Sequence, residues 1–170
     1  MNPDVLSQYK VYNFGQDLIG VAQVDLPAIQ SMTTEVKGAG IGGTIDMPVV
    51  GMIQSMSTTF NFKTAVRNAY PLMVASFNHL ELWGSLQMLE VGSGRLVAVQ
   101  HKVILRGIFK NLTPGKFAVA ETQDRSIELE TIYYKELLAG VEHLEIDKYN
   151  MIYRVDGVDQ LAAIRANIGM

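Results

Sequence analysis

Residues 52–63 read Met-Ile-Gln-Ser-Met-Ser-Thr-Thr-Phe-Asn-Phe-Lys, and their side chains alternate in polarity. One parity carries Met52, Met56, Thr58, Phe60 and Phe62, and the other carries Ser55, Ser57, Thr59, Asn61 and Lys63. Ile53 and Gln54 are the exceptions. Because successive side chains of a β-strand point to opposite faces, this alternation predicts a strand with one buried face.

The same alternation occurs in residues 79–88. Leu80, Leu82, Leu86 and Met88 are predicted inward, and His79, Glu81, Trp83, Ser85 and Gln87 outward. A turn signal follows at residues 92–94, and residues 95–109 are rich in Val, Ile and Leu. We therefore expect residues 79–88 and 95–109 to pair as a β-hairpin.

A fourth strand is predicted over residues 126–135. Ile127, Leu129, Thr131 and Tyr133 have the inward parity, and Glu128, Glu130 and Tyr134 have the outward one, with Ile132 on the polar side. Shorter strands are expected at residues 9–13, 18–26, 141–147 and 151–155, because Gly, Pro, Asp or Asn separates them.

Two helices are predicted besides the strands. Asn68 is expected to cap a segment that runs to about Phe77, in which Pro71 falls within the first turn, where its missing amide costs no hydrogen bond. Residues 156–168 are predicted as a C-terminal helix, with Asp156 as N-cap and Asp159 in the positive first turn. Apolar residues at helical spacing support it, namely Val158, Leu161, Ile164 and Ile168.

These elements predict a mainly β fold of the α+β class over residues 1–170, as a single domain. We expect an antiparallel β-barrel or sandwich with a flanking α-helix, a C-terminal helix docked on the sheet and a long projecting loop. Such a fold must protect its edge strands, and pairing with neighbouring copies is one way to do so.

Composition supports a globular chain, with 48% hydrophobic and 18% charged residues. The first residues lack the pattern of a signal peptide, and no stretch approaches the roughly 20 apolar residues that cross a bilayer, so we expect a soluble protein without stable membrane insertion. Cysteine is absent, which excludes disulfides and thiolate chemistry and is compatible with a reducing cytoplasm.

Charge is distributed unevenly along the chain. Residues 47–118 contain seven Lys or Arg and two Glu, a net charge of +5, whereas residues 121–147 contain eight Asp or Glu and two basic residues, a net charge of −6. This asymmetry either steers self-association through opposite patches or reflects ordinary solvated faces. The overall charge of −3 and the lack of a basic helix disfavour tight nucleic-acid binding.

Residues 33–51 do not resemble part of a compact core, because glycines, Lys37, Asp46 and Pro48 interrupt any periodicity. We interpret them as a long projecting loop or hairpin that orders against a neighbour, since their apolar side chains need somewhere to be buried. A merely flexible loop is the alternative. Residues 38–43 also match the dinucleotide pattern G-x-G-x-x-G, but Pro48 follows too soon for a helix, so we interpret the match as spurious.

No catalytic or metal-binding pattern is found in the chain. His79, His101 and His143 lie far apart in sequence, although His79 and His101 fall on adjacent predicted strands and could approach each other. Glu128 and Glu130 share one strand face and are interpreted as a solvated or pore-facing stripe rather than an acid-base pair. Nucleophile-elbow and P-loop signatures are also lacking, so we expect neither an enzyme nor a cofactor.

The C-terminal end carries a family resemblance. Residues 144–147 (Leu-Glu-Ile-Asp), Asn150-Met151 and residues 156–165 (Asp-Gly-Val-Asp-Gln-Leu-Ala-Ala-Ile-Arg) resemble the closing strand and helix of the major tail tube proteins of contractile-tailed bacteriophages and of contractile bacteriocins. The Gly-Gly pair and Ile45-Asp46-Met47-Pro48 are similar to the extended loop of that family.

The resemblance implies a structural subunit of six-fold rings that stack into a hollow tube, with strands of neighbouring subunits continuing one sheet. The loop would bridge successive rings through Gly38, Gly40, Ile41, Gly42, Gly43, Ile45, Met47, Val49 and Val50. Glu128 and Glu130 would face an acidic lumen. The implied partners are other copies of the chain, a sheath protein, baseplate and terminator proteins, and DNA only as transiting cargo.

The implied location is a virion tail or tail-like particle assembled in the bacterial host cytoplasm. Three alternatives remain open from the residues: a tube subunit of a type VI-like secretion system, a monomeric β-sandwich binding module, and an enzyme with a composite site between subunits.

Overall fold

The computed structural model of the chain describes residues 2–18 and 20–170. Its strands are β1 (Asn2–Asn13), β2 (Gln16–Asp17), β3 (Val21–Asp25), β4 (Ser31–Val36), β5 (Ile45–Ile53), β6 (Met56–Phe62), β7 (Asn78–Glu90), β8 (Arg95–Thr113), β9 (Arg125–Leu138), β10 (Val141–Asp147), β11 (Ile152–Val155) and β12 (Val158–Asp159). A 3-10 helix (Arg67–Met73) precedes β7, and a short α-helix, α1 (Ala162–Asn167), follows β12. The mainly β prediction is therefore confirmed.

Ten of these strands form one antiparallel sheet in which β9 is the branch point. The order is β12-β11-β10-β9-β8-β7-β1-β2, and β6 also pairs with β9 while β3 pairs with β6. The first half of β9 pairs with β6, up to Thr131 opposite Met56, and the second half pairs with β10 from Tyr133 onward. The sheet therefore divides at Ile132.

Along the path β3-β6-β9-β8-β7-β1 the sheet curls into a partly open barrel. Its two terminal strands, β1 and β3, border the same cleft, which Tyr9 lines from β1 and Val24 lines from β3. The core fills the inside of this curl, with Phe60, Leu80 and Leu105 among the residues that are wholly buried. Strands β4 and β5 form a separate two-stranded sheet, the β4–β5 hairpin.

Strand β6 shows the predicted alternation, with Met56, Thr58, Phe60 and Phe62 buried and the residues between them half-buried. Met52 is a correction, because it belongs to β5 and its side chain is exposed. The chain changes sheet at residues 54–55, so the inward parity of β6 does not extend back to Met52.

The β7–β8 hairpin is confirmed and is longer than predicted. Its register runs from Asn78 opposite Gly107 to Glu90 opposite Arg95. Leu80, Leu82 and Met88 are buried as predicted, whereas Leu86 is only half-buried.

The predicted parity of β9 is wrong after Thr131. Arg106 pairs with Tyr133 and Gly107 pairs with Thr131, so Ile132 is left without a partner on β8 as a β-bulge. A bulged residue shifts the alternation by one position. Tyr134 therefore points into the core and is buried, whereas Tyr133 lies on the outer face under Arg106, whose guanidinium is 4.7 Å from the Tyr133 ring centroid.

The predicted flanking α-helix is instead a 3-10 helix. Its hydrogen bonds span three residues, as from the Ala69 amide to the Val66 carbonyl (3.1 Å), and Asn68 makes no capping bond. Pro71 lies inside it and lacks the amide that an α-helical ladder needs. The buried Asn78 side chain donates to the Leu72 carbonyl at 3.0 Å, so this carbonyl near the end of the 3-10 helix has a hydrogen-bond donor.

The C-terminal helix is shorter than the predicted range 156–168. Asp156 and Gly157 both have positive φ angles, 47° and 80°, and form the turn that joins β11 to β12. An Asp-Gly pair is the usual occupant of such a hairpin turn, a signal that the cap interpretation of Asp156 overlooked. Asp159 accepts the Leu161 amide (3.0 Å) and binds Arg165 (2.5 Å), and helix α1 itself contributes no buried residue.

The shorter strand predictions are confirmed in position, with β1 and β3 as the first two. Ile19, inside the predicted strand 18–26, lies outside the described residues. Strand β3 begins only at Val21, and Leu18 is buried in the preceding turn, where its amide donates to the Val11 carbonyl at 2.8 Å.

Candidate assembly surfaces

The β4–β5 hairpin contains all nine residues that were predicted to form an interface between rings. Its register pairs Val36 with Ile45, so residues 37–44 form the connecting turn. The glycines of the dinucleotide-like pattern lie in this turn, and strand β5 rather than a helix follows them. The geometry that would bind a pyrophosphate is therefore missing from this segment.

Apolar side chains of the hairpin are exposed on both of its faces. Ile41, Ile45, Met47, Val49 and Val50 are all exposed, Val50 to 60%. A two-stranded hairpin that does not join the main sheet is marginally stable in water alone. Exposed apolar surface of this extent typically marks an interaction site.

The base of the hairpin is held firmly against the C-terminal part of the chain. The Gln54 amide donates to the Gln30 carbonyl at 2.8 Å, and the Lys148 ammonium donates to the Gln54 carbonyl at 2.7 Å. Leu161, which is 3% exposed, packs directly over Gly51. The base is thus fixed while the rest of the hairpin is open to solvent.

Glu128 and Glu130 lie together on the outer face of β9, as their shared parity predicted. Lys110 on β8 lies between them, 3.1 Å from Glu128 and 3.7 Å from Glu130, and Ser55 donates to Glu130 at 2.7 Å. A hydrogen bond with Ser57, together with Lys110, holds the pKa of Glu128 below its usual value. The Lys110 ammonium therefore partly neutralises the negative charge of this stripe.

Ion pairs continue across the outer face from β7 to β11. Lys102 binds Glu81 at 2.8 Å and lies 4.0 Å above the Trp83 ring. Further along the sheet, Lys135 binds Glu142 at 2.6 Å and Arg154 binds Glu145 at 2.5 Å. Sequence reasoning missed this network because the partners come from different strands and meet only through register.

Each histidine contacts a carboxylate rather than another histidine. His79 lies 3.2 Å from Glu81, His101 lies 2.6 Å from Glu136, and His143 lies 2.5 Å from Asp156. Register places His79 opposite Arg106 and His101 opposite Gly84, so the two histidines lie on adjacent strands without facing each other.

Within residues 2–18 and 20–170, no cluster of three or more His, Asp or Glu has the arrangement of a metal site. No helix in this described part is both long and apolar enough to span a membrane. The features that stand out are therefore surfaces: an apolar hairpin, a charged outer face and a barrel open at one side.

Comparison with known proteins identifies the family of the chain. The family model of the phage tail tube protein FII matches residues 3–169. The tail tube protein of Escherichia phage P2 is 29% identical over 173 residues, covering 99% of this chain and 98% of the phage protein.

Two solved structures of an extracellular contractile injection system share the fold. The PVC sheath-tube complex in its extended state contains a chain with a TM-score of 0.57 and 16% identity, covering 79% of this chain and 91% of that one. The PVC sheath/tube terminator in its extended state contains another, with a TM-score of 0.54 and 14% identity, covering 81% of this chain and 98% of that one.

The family match extends over almost the whole sequence, and the overall fold is similar to that of the two solved structures. The chain therefore belongs to the phage tail tube protein FII family and is a structural tube subunit of a contractile tail.

Proposed function

We propose that the chain assembles into six-fold rings that stack into the hollow inner tube of a contractile tail, and that the β4–β5 hairpin bridges successive rings. The observation that carries the hairpin assignment is its combination of a fixed base and an exposed apolar body. Apolar side chains such as Met47 and Val50 lose their contact with water only if another chain covers them.

The fixed base favours a tight contact between rings. Because Leu161 and the Lys148–Gln54 hydrogen bond hold the base, the hairpin loses less conformational freedom on docking than a free loop would. Obligate interfaces typically bury more than about 2,000 Å², and a projecting hairpin lets a small domain reach such an area. Covering all nine predicted residues, from Gly38 to Val50, would add to that area.

For the lumen we propose the outer face that carries Glu128 and Glu130. These two carboxylates and the Lys110 ammonium leave one net negative charge per subunit. A wall with this charge repels the phosphates of transiting DNA, so DNA would pass as cargo without binding.

The proposed partners are further copies of the chain, a sheath protein, a tail terminator and a baseplate. The similar structures are a sheath-tube complex and a sheath/tube terminator, which supports the sheath protein and the terminator as partners. The proposed location is the tail of a virion or tail-like particle, with assembly in the host cytoplasm. The role is mechanical: each ring transmits the force of sheath contraction, and no catalytic residue is required for it.

Negative-stain electron microscopy and sedimentation of the purified protein at increasing concentration test this function. The expected result is rings of six subunits and hollow tubes. A protein that stays monomeric even when an initiating baseplate complex is supplied would contradict the tube assignment and favour a binding module.

Two substitutions at one exposed position test the hairpin. Val50→Asp places a charge in the proposed contact and is expected to abolish polymerisation, whereas Val50→Thr keeps the shape and β-branching and serves as the matched control. Both variants should fold, since Val50 is largely solvent-exposed. Tubes of Val50→Asp at the wild-type concentration would show that the hairpin lies outside the ring contact.

A shortened hairpin provides an independent test. Since Val36 pairs with Ile45, deletion of residues 38–43 with Lys37→Asn and Thr44→Gly closes the strands through a two-residue turn. The expected product is a folded monomer that does not polymerise. Tube formation by this variant would exclude the glycine turn from the contact.

A further inference from the structure

The β4–β5 hairpin carries a group of exposed methionines. Met32 on β4 and Met47 and Met52 on β5 are exposed to 43%, 47% and 49%. Methionines of the barrel differ from them, because Met56 is wholly buried and Met88 is 9% exposed. Exposed thioether side chains are therefore concentrated on the element of the proposed ring contact.

The three methionines are spread over the hairpin from its base toward its turn. Met32 and Met52 line a recess of about 340 Å³ between the hairpin base and the C-terminal part of the chain, which Leu161 also lines. Met47 lies nearer to the turn, where it pairs with Thr34. Thioether side chains are thus open to solvent in both halves of the surface that the hairpin offers to a partner.

These side chains suit a contact surface. A methionine side chain is unbranched, flexible and polarisable, so it adapts its shape to the side chains of a partner. Val49 and Val50 line the same recess as Met52 and extend the apolar area around it. Burial of this area drives docking, and the methionines contribute to it only while they remain apolar.

A thioether is readily oxidised by hydrogen peroxide. The sulfur lone pair attacks one peroxide oxygen, so that an S–O bond forms while the O–O bond breaks. The sulfur loses two electrons and becomes a sulfoxide, and the peroxide is reduced to water, which keeps both hydrogens. The reaction needs no catalytic residue, only access of the peroxide to the sulfur.

We infer that Met32, Met47 and Met52 are a methionine-sulfoxide modification site of the free subunit, which hydrogen peroxide oxidises ahead of the methionines in the barrel core. Oxidation converts each apolar side chain to a polar one. Burial of the sulfoxide oxygen in an apolar contact is unfavourable unless it keeps a hydrogen bond, so the oxidised subunit docks more weakly. This loss of docking rests on the proposed ring contact of the hairpin, whereas the oxidation itself depends only on exposure.

Peptide mass mapping after brief hydrogen peroxide treatment tests the site itself. In the free subunit, kept below its critical concentration, the three hairpin methionines should each gain one oxygen at least about tenfold faster than the buried Met56 and Met88. In assembled tubes the hairpin methionines should react at least about tenfold more slowly than in the free subunit, because a neighbouring ring covers them. Equal rates for hairpin and core methionines in the free subunit would overturn the site.

Polymerisation of the oxidised protein, after catalase has removed the peroxide, tests the consequence. Its critical concentration should rise at least about tenfold. The two methionine sulfoxide reductases, one for each sulfoxide epimer, should return it to the untreated value. The melting curve should stay unchanged, since the core methionines remain reduced. Polymerisation of the oxidised protein at the untreated concentration would overturn the effect on docking.

Leucine variants assign the effect to the hairpin. Leucine is close to methionine in volume and has no sulfur, so Met32→Leu, Met47→Leu and Met52→Leu together should give tubes both before and after treatment. Met170→Leu is the matched control, because Met170 is 66% exposed but lies at the C-terminal end, and this variant should keep the wild-type sensitivity to peroxide. An equal loss of polymerisation in the triple leucine variant and the wild-type protein would place the sensitive group elsewhere. The reductase rescue decides the same question without any substitution.

The outcomes distinguish this site from the tube function. Tubes of the oxidised protein, beside a Val50→Asp variant that forms none, would overturn the effect of oxidation and leave the hairpin contact and the tube function intact. An untreated wild-type protein that forms no rings or tubes, even with an initiating complex, would refute the tube function together with the effect on docking. Faster oxidation of the hairpin methionines would in that case still support the modification site.

Discussion

Gly51 and Leu161 form the joint that holds the hairpin base, and substitution of Gly51 should break it. Gly51 has a φ angle of 72°, and a Cβ at this position would lie 2.1 Å from Leu161 Cδ2. The left-handed conformation costs an alanine about 1–2 kcal/mol, and overpacking adds about 1–3 kcal/mol. Gly51→Ala should therefore destabilise the joint by about 2–5 kcal/mol.

A double-mutant cycle with Leu161→Ala separates these two contributions. Leu161→Ala alone should cost about 2–5 kcal/mol, since the side chain is buried. In the double variant the steric clash is absent, so the combined loss should fall short of the sum by about 1–3 kcal/mol. Gly40→Ala is the matched control, because Gly40 has a φ angle of 91° but nothing lies within 4 Å of its Cβ position.

Urea unfolding of the monomer, followed by Trp83 fluorescence, measures the global free energy of unfolding. Hydrogen exchange of the Gln54 amide, which is bonded to the Gln30 carbonyl at 2.8 Å, reports local undocking of the hairpin base. Additive losses within about 0.5 kcal/mol, or an effect of Gly51→Ala no larger than that of Gly40→Ala, would refute the steric account.

Three further predictions concern the fold itself. Thr58 and Thr131 share a buried hydroxyl pair at 2.6 Å, so Thr58→Val should cost about 1–3 kcal/mol in urea unfolding, while valine at both positions should restore most of it. Lys135 holds the pKa of Glu142 below its ordinary 4.5, so this pair stabilises the fold above pH 4.5 and its contribution is lost as the pH falls below that value. In Glu142→Gln, the free energy of unfolding should therefore fall less steeply on acidification than in the wild-type protein. An unchanged pH dependence of the free energy of unfolding would contradict this. Asn78→Ala should cost about 1–3 kcal/mol, because the carbonyl at the end of the 3-10 helix loses its buried donor, and an unchanged urea midpoint would show that water replaces it.

Sequence reasoning located the strands well where one face is buried and the other is solvated. Residues 56–62 and 78–90 show this most clearly, because buried and less buried side chains alternate there with the period of two that a β-strand imposes. It located the β4–β5 hairpin less well, as a loop or hairpin over residues 33–51. Both faces of that hairpin are exposed, so no alternation marks its strands.

The errors of prediction occurred where a distant residue decides the local geometry. Ile132 bulges because β6 and β10 diverge on the same side of β9, a fact that no window around Ile132 contains. Asp156 turns a hairpin instead of capping a helix because β12 pairs back onto β11. The sequence placed Glu128 and Glu130 on one face of β9, but Lys110, which lies between these two carboxylates, comes from β8.

The sequence by itself determined the class of fold, the lack of cysteine chemistry, the apolar segment that became the hairpin, and the resemblance to tail tube proteins. These properties depend on residue types and short periods, which are local. Only the tertiary structure decided the register of the ion pairs, the burial of Leu161 over Gly51, and the cleft that β1 and β3 border. Each of these joins residues far apart in the chain, so each depends on how the sheet curls and pairs rather than on any one segment.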